Sequence, residues 1–166
     1  MRHTFTNPQR CVAGTIGEPG ERAFFIQARS DNRVVSVALE KAQVQAVANR
    51  LEVMIAEVRK SNPLIAIQSL PVDDAPLDTP VDEEFQVGAI SLAWDEDQQL
   101  ITLELYELEE DEDDAEGDVL EINFSLGVAS SFVNRSKALV NAGRVPCPFC
   151  GIPIDPRGHL CPRANG

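Results

Sequence analysis

Residues 33–58 carry the pattern that decides the fold, and they read RVVSVALEKAQVQAVANRLEVMIAEV. At the start Val35, Val37 and Leu39 alternate with other residues, and this period of two is typical of a strand with one buried face. Beyond Leu39 the apolar residues recur at steps of three and four, which predicts an amphipathic helix of about 20 residues. The helix is expected to end before Pro63, because proline cannot continue it. The stretch therefore predicts a strand that leads directly into a helix.

A similar series of three strands and a helix is predicted in each half of the chain. The predicted strands are 10–17, 22–29 and 33–39 in the first half, and 88–94, 99–106 and 119–126 in the second. The second helix is expected to end at Gly143, since glycine suits the left-handed position that closes a helix. This order predicts an α+β fold, with an antiparallel sheet and two helices on one face.

The likeness between the two halves has two explanations, and the sequence leaves both open. Repeats 9–61 and 85–142 are either a duplicated βββα unit or two unrelated copies of a common arrangement. Together they form a predicted body of residues 1–142, which is followed by a tail at 143–166. Within the body, the proline-rich and acidic stretch 71–84 is predicted to be an exposed linker.

The charge of the chain is concentrated in one segment. The 166 residues carry a formal net charge of −13, and nine of the twelve residues at 107–118 are acidic. This acidic insertion is expected to be a solvated loop or a docking site for a basic partner. The acidity makes nucleic acid an improbable partner, because phosphates repel a negative surface.

The chain has no apolar run long enough to cross a membrane and no leader-like segment at its start, so we expect a cytoplasmic protein that does not bind membranes.

The strongest motif in the chain is a set of metal-ligand residues near its end. Cys147-Pro-Phe-Cys150-Gly is followed by His159-Leu-Cys161, which supplies three thiolates and one imidazole. This donor set suits one tetrahedral zinc ion with no open position, and we therefore expect a structural Zn²⁺ in a zinc knuckle. A cysteine cluster without metal and a redox dithiol are the alternatives.

Candidate residues for other chemistry are few. The chain has two histidines, of which His159 is a predicted metal ligand and His3 is expected to lie in a frayed terminus. No imidazole base is then left, so we assign no catalytic residues and favour a protein without enzymatic activity. Arg10, Arg22 and Arg29 in the first hairpin are candidate ligand-binding residues, although scattered surface arginines are the simpler interpretation.

Two stretches resemble a known family. The first is Phe5-x-x-Pro8-x-Arg10-x-Val12-Ala-Gly-Thr together with Arg22, Phe24 and Phe25, which follow it. The second is the cysteine-rich end from Cys147 to Gly166. Both are similar to DUF3090, an actinobacterial family of unknown function with a zinc-ribbon-like C-terminal motif. The resemblance implies an actinobacterial cytosolic protein, zinc on the four residues named above, and no catalytic residues. It also implies that a histidine-type phosphatase and a lipid-kinase-like protein are encoded nearby.

These observations favour one function and leave a second open. The first is a non-catalytic adaptor that binds a protein partner, which the phosphatase or kinase encoded nearby would supply. The alternative is a phosphometabolite- or nucleotide-binding enzyme that uses Arg10, Arg22 and Arg29. A role in binding RNA through the tail is the least favoured.

Overall fold

The computed structural model describes residues 1–18, 21–109 and 117–142, and this part of the chain forms one sheet with two helices. The strands are β1 (Arg2–Thr6), β2 (Arg10–Ile16), β3 (Ala23–Ser30), β4 (Arg33–Leu39), β5 (Glu83–Asp95), β6 (Leu100–Glu107) and β7 (Val119–Phe124). The helices are α1 (Lys41–Ser61) and α2 (Leu126–Asn141). The α+β prediction is confirmed, and the predicted order of three strands and a helix is found in β2–β4 with α1 and in β5–β7 with α2. A duplication remains a prediction.

The sheet is mixed, so the prediction of an antiparallel sheet holds only in part. Its strand order is β1-β7-β6-β5-β4-β3-β2, with parallel pairs at β1–β7 and β4–β5 and antiparallel pairs elsewhere. The central parallel pair arises because α1 and a long connection separate β4 from β5, and such a crossover returns the chain in its original direction. The other parallel pair arises because β1, which the sequence did not predict, adds to the edge beside β7.

The sheet is strongly curled. Strands β1 and β2 lie at opposite edges, yet only residues 7–9 join them. Four Cα steps span at most about 14 Å, whereas the edges of a flat seven-stranded sheet would be about 29 Å apart. The two edges therefore approach each other at one end. There Arg33 Nη1 donates a hydrogen bond to the Thr4 carbonyl oxygen at 2.9 Å, and the guanidinium lies 4.2 Å from the centre of the Phe5 ring.

Both helices pack on one face of this curled sheet and form the main core with it. The largest fully buried side chains include Phe5, Phe124 and Phe132, with Leu51 from α1. Ser125 caps the start of helix α2, and its hydroxyl accepts a hydrogen bond from the Val128 backbone N–H at 3.3 Å. Among the described residues, neither helix is both long enough and apolar enough to cross a membrane.

The segment predicted as a linker instead packs against the body, and we call residues 71–82 the strap. Most of its residues are exposed, as predicted, but Leu77 is buried with Val12, Phe25 and Ala38 on the face of the sheet opposite the helices. Close packing against β2 requires a glycine there, since a Cβ added to Gly14 would lie 2.4 Å from Leu77 Cγ. The strap therefore covers the outer face of the first three-stranded unit.

Candidate functional site

Two of the three arginines predicted to bind a ligand meet at one point of the structure. Arg10 on β2 and Arg29 on β3 are directly opposite in the antiparallel register, so their side chains emerge on the same face. They line an open cavity of about 620 Å³, together with strap residues that include Asp73 and Asp78. The structure therefore brings Arg10 and Arg29 together across the hairpin, and their role in binding a ligand remains a prediction.

The strap supplies carboxylates to both arginines. Arg10 Nε donates to Asp73 Oδ2 at 2.7 Å, and its Nη2 donates to Asp73 Oδ1 at 3.1 Å. Arg29 Nη1 donates to both carboxylate oxygens of Asp78, at 2.8 and 3.0 Å. The cavity lining thus combines two cations with two anions, and the arginines hold the strap in place.

The close pairing shifts the pKa values of the first pair in opposite directions. The hydrogen bond from Arg10 is the main cause that holds the pKa of Asp73 below its ordinary value. The same hydrogen bond raises the pKa of Arg10, against the opposing effect of burial. Both groups therefore stay charged over the whole physiological range of pH.

A third arginine, which was not among the predicted site residues, joins this cluster from α2. Arg135 is 9% exposed, and its Nε donates to the Ala13 carbonyl oxygen at 2.7 Å. Its Nη1 donates to the carbonyl oxygens of Asp73 at 2.6 Å and Ala75 at 2.7 Å. Burial is the main cause that lowers its pKa. Arg135 therefore ties α2, the edge strand β2 and the strap together.

The signal for Arg135 in the sequence was weak. It lies three residues after the core residue Phe132, and a charged residue at that spacing falls on the buried face of a helix. A shift of 85 residues aligns it with Arg50 of α1, but Arg50 is exposed. The comparison of the two halves therefore gave no reason to expect a buried arginine.

Arg22 lies away from this cluster and contacts the end of α2. Its Nη1 donates to the Leu139 carbonyl oxygen at 3.3 Å, and its Nη2 donates to the Ala142 carbonyl oxygen at 3.0 Å. A cation at these free carbonyls stabilises the negative end of the helix dipole. Since β3 runs from its start near Arg22 to Arg29, the two arginines lie roughly 23 Å apart along the strand. The structure does not bring the three predicted arginines together.

The predicted zinc ligands Cys147, Cys150, His159 and Cys161 lie outside the described residues, and zinc binding remains a prediction. The fourth cysteine, Cys11, is buried in β2, and burial raises the pKa of its thiol to about 12. A thiol in this state is a poor nucleophile. Cys11 is therefore a small buried hydrophobic residue rather than a nucleophile.

The expectation for His3 was wrong. His3 lies in β1, opposite Leu120 of β7, and it is 8% exposed rather than part of a frayed terminus. The burial of His3 was hard to predict because β1 has only two inward-facing residues, His3 and Phe5, and so short a run does not show a clear period of two.

A second cavity lies where the acidic insertion leaves the sheet. It has a volume of about 750 Å³ and is lined by Glu40, Gln43, Gln86, Val87, Gly88, Ala89, Tyr106, Glu107, Leu108 and Glu109, which we call the acidic groove. Its shape depends on an irregularity in β5, where the register with β6 shifts between Val87 and Ile90. Gln43 fills the irregularity by donating hydrogen bonds to the Val87 and Gly88 carbonyl oxygens at 3.0 and 3.2 Å.

The acidic groove has apolar walls and an acidic rim. Leu108 is held against β5 by a hydrogen bond from its backbone N–H to the Gln86 carbonyl oxygen at 2.7 Å, yet its side chain is 46% exposed. The absence of a Cβ at Gly88 allows this approach, since an added Cβ would lie 3.0 Å from Leu108 Cα. Glu40, Glu107 and Glu109 are among the residues that line this cavity, and Glu107 Oε2 also accepts a hydrogen bond from the Asp118 backbone N–H at 2.8 Å.

Comparison with known proteins assigns the chain to a family. The profile of a family described as "Protein of unknown function (DUF3090)" matches residues 3–161. This range includes both helices and every described strand, apart from Arg2, the first residue of β1. No curated protein and no solved structure matches the chain. The match covers nearly the full length, and the chain belongs to the DUF3090 family.

Proposed function

We propose that this chain is a cytosolic, non-catalytic binding module whose acidic groove binds a basic segment of a protein partner. The observation that carries the proposal is the groove itself. It combines an exposed leucine and an aromatic ring with three glutamates at its rim. An extended segment with alternating basic and apolar side chains is complementary to such a surface.

The neighbouring sequence strengthens the charge complementarity. Directly after Glu109, six of the seven residues at 110–116 are acidic. A concentration of negative charge beside a groove attracts a basic partner over a distance and accelerates association. This effect weakens as the ionic strength increases, because salt screens exposed charges.

The arginines of the first hairpin support a phosphometabolite or nucleotide site less well. An anion that entered the cavity beside Arg10 and Arg29 would have to displace Asp73 and Asp78, each of which already accepts hydrogen bonds from an arginine. It would also meet their negative charge. We therefore favour a protein ligand over a phosphorylated one.

The proposal includes a structural Zn²⁺ bound by Cys147, Cys150, His159 and Cys161. Three thiolates and one imidazole are a saturated donor set for tetrahedral zinc, and this chemistry is the support for the metal. The zinc would fold the tail, which is too short to form a hydrophobic core of its own. A phosphatase or a lipid-kinase-like protein encoded nearby is the partner that we would test first.

A binding measurement with a defined probe tests the proposal. We would titrate the full chain into a fluorescent lysine- and leucine-rich peptide of 15 residues and follow its anisotropy at two salt concentrations. Replacing both Glu40 and Glu109 with glutamine should weaken binding about fivefold and reduce its salt dependence, since each exposed ion pair contributes up to about 1 kcal/mol.

The matched control for this experiment removes two charges at the other end of the same hairpin. Glu96 and Asp97 lie in the turn between β5 and β6, roughly 27 Å from the groove along the strands. The variant with Glu96→Gln and Asp97→Asn should bind the peptide as the unmodified chain does. Equal weakening in both variants would show that general acidity, and not the groove, binds the peptide.

A further inference from the structure

Three potential metal ligands from distant parts of the chain meet beside β1. They are His3 of β1, Glu84 of β5 and Asp118, which directly precedes β7. Each residue offers one ligand atom, and the three atoms all lie within 4.8 Å of one another. The curl of the sheet creates this cluster, because it brings the edge strand β1 close to the beginning of the central strand β5.

His3 itself supplies an independent indication of a ligand. Its Nε2 atom is buried, and among the described residues it has no hydrogen-bond partner. A buried polar atom without a partner costs free energy, and native structures contain few such atoms. The His3 side chain is only 10% exposed, so bulk water does not provide an easy replacement. The unpaired nitrogen therefore points to a bound group that satisfies it.

The spacing of the ligand atoms fits a shared cation better than a direct hydrogen bond. His3 Nε2 lies 3.8 Å from Asp118 Oδ2, which exceeds the length of a hydrogen bond. Two ligands of a tetrahedral zinc ion, each about 2.1 Å from the metal, are separated by roughly 3.4 Å. A small movement of either side chain brings the two atoms to that separation.

The neighbouring groups leave His3 Nε2 and Asp118 Oδ2 available to bind a cation. The terminal ammonium of Met1 binds the other carboxylate oxygen of Asp118, Oδ1, at 3.0 Å. The backbone N–H of Asp118 donates to Glu107 Oε2 at 2.8 Å, which fixes the residue where the acidic insertion rejoins the sheet. Oδ2 is then the oxygen that faces His3, and the exposed Glu84 closes the cluster from the solvent side.

We propose that His3, Glu84 and Asp118 bind a first-row divalent cation such as Zn²⁺. Two carboxylates and a neutral imidazole balance its charge, and the imidazole favours a transition metal over Mg²⁺ or Ca²⁺. Three protein ligands leave one tetrahedral position for water or another small ligand. The ion joins the edge strand β1 to β5, and it binds beside the root of the acidic insertion. This site is separate from the predicted zinc knuckle in the tail.

Cobalt substitution distinguishes the two sites in the full chain. Co²⁺ bound by thiolates gives intense near-ultraviolet charge-transfer absorption, whereas Co²⁺ bound by nitrogen and oxygen alone gives only weak visible bands. We would titrate the chain with Co²⁺, count the equivalents by elemental analysis after desalting, and repeat the count with Zn²⁺. We expect one equivalent of bound Co²⁺ that gives no thiolate absorption. This equivalent should be missing in both the His3→Gln and the Glu84→Gln variants.

Glu83→Gln is the matched control, because it removes the same charge from the neighbouring residue of β5. It should bind as many metal ions as the unmodified chain. Thermal unfolding with and without Zn²⁺ provides a second measurement, in which the ion should raise the unfolding temperature of the Glu83→Gln variant but raise that of His3→Gln less. Equal metal content in the unmodified chain and His3→Gln would overturn the proposal. An equal loss in Glu83→Gln and Glu84→Gln would also overturn it, since it would indicate adventitious binding to acidic residues.

Discussion

Arg135 shows how a single side chain determines where a long connection runs. Its guanidinium donates to three backbone carbonyl oxygens, one on β2 and two on the strap. Backbone carbonyls at a sheet edge and in a loop would otherwise need water or another donor. The buried arginine satisfies them, and the Asp73 carboxylate, 3.3 Å from Nη1, balances its charge.

Replacing Arg135 with alanine should therefore destabilise the protein strongly. The change removes the arginine donor from the Ala13 and Asp73 carbonyl oxygens, leaves the Ala75 carbonyl oxygen with the bond from Arg10 Nη2, and removes a cation beside Asp73. Breaking a buried ionic network of this kind costs about 3 kcal/mol. Urea denaturation followed by circular dichroism would measure the loss. Arg50→Ala changes the aligned but exposed residue of α1 and should cost less than about 0.5 kcal/mol. Similar losses in the two variants would contradict the role assigned to Arg135.

Asp73 should make stability depend on pH in the acidic range. Its folded pKa lies below the ordinary value of 3.8, mainly because Arg10 donates a hydrogen bond to it. A carboxyl of this kind stabilises the fold above its unfolded pKa, and the contribution is lost as the pH falls through the folded pKa. The unmodified chain should thus exceed Asp73→Asn in unfolding free energy by a constant amount from pH 7 to about pH 5. This difference should shrink below about pH 4.

Urea denaturation of both proteins across this range measures the difference directly. Asp97→Asn, in the turn between β5 and β6, serves as the control and should follow the pH profile of the unmodified chain. A difference between Asp73→Asn and the unmodified chain that stays constant down to pH 3 would show that the ion pair with Arg10 does not stabilise the fold.

At the scale of elements, the sequence predicted those parts of the fold whose residues repeat with a clear period. Val35, Val37 and Leu39 of β4 are all buried as expected, and so are Val44 and Leu51 of α1. The strap escaped prediction because its attachment depends on single residues that meet only in three dimensions. Gln27 is an example, since its side chain exchanges hydrogen bonds with the Asp78 backbone N–H and carbonyl oxygen at 2.8 and 3.0 Å.

The candidate sites were predicted less completely than the fold, for a related reason. Opposite positions of Arg10 and Arg29 follow from hairpin register, which a short turn fixes locally. The pairing of both arginines with strap carboxylates involves residues at least 49 positions away. The periodicity of neighbouring residues does not indicate contacts between residues so far apart in the sequence. The same holds for His3, whose neighbours Glu84 and Asp118 approach it only because the sheet curls.

Packing of the strap against β2 can be tested at Gly14 and Leu77. Gly14→Ala should destabilise the protein by about 1–3 kcal/mol, because the new methyl group overlaps the Leu77 side chain. Leu77→Ala should cost about 2 kcal/mol through lost burial. In the double variant the overlap is relieved, so Gly14→Ala should cost less in the Leu77→Ala background than alone. Urea denaturation would measure the unfolding free energies of the three variants. If the losses of the two single variants add up to that of the double variant, Leu77 of the strap is not in close contact with Gly14.

At the scale of the whole molecule, the described residues form a body with a continuous core, and we propose that the tail after residue 142 depends on zinc. Among the described residues, the main core includes strands from both halves and both helices. The strap adds a second apolar cluster on the opposite face. Since these described residues bury their own core, we expect the body to stay folded when the proposed tail zinc is lost.

Cys147→Ser should therefore release one equivalent of zinc and leave the body folded. Losing one of four ligands weakens a tetrahedral zinc site sharply, because the remaining donors no longer saturate the ion. Elemental analysis would measure the zinc, and near-ultraviolet circular dichroism of Trp94 and Tyr106 would report on the packing of the body.

Cys11→Ser is the control, since it changes a buried thiol in β2 and should retain all the zinc while lowering stability. Global unfolding of Cys147→Ser would contradict the division into body and tail. Retention of the full zinc content would exclude Cys147 as a ligand and, with it, the four-residue site that the spacing predicts.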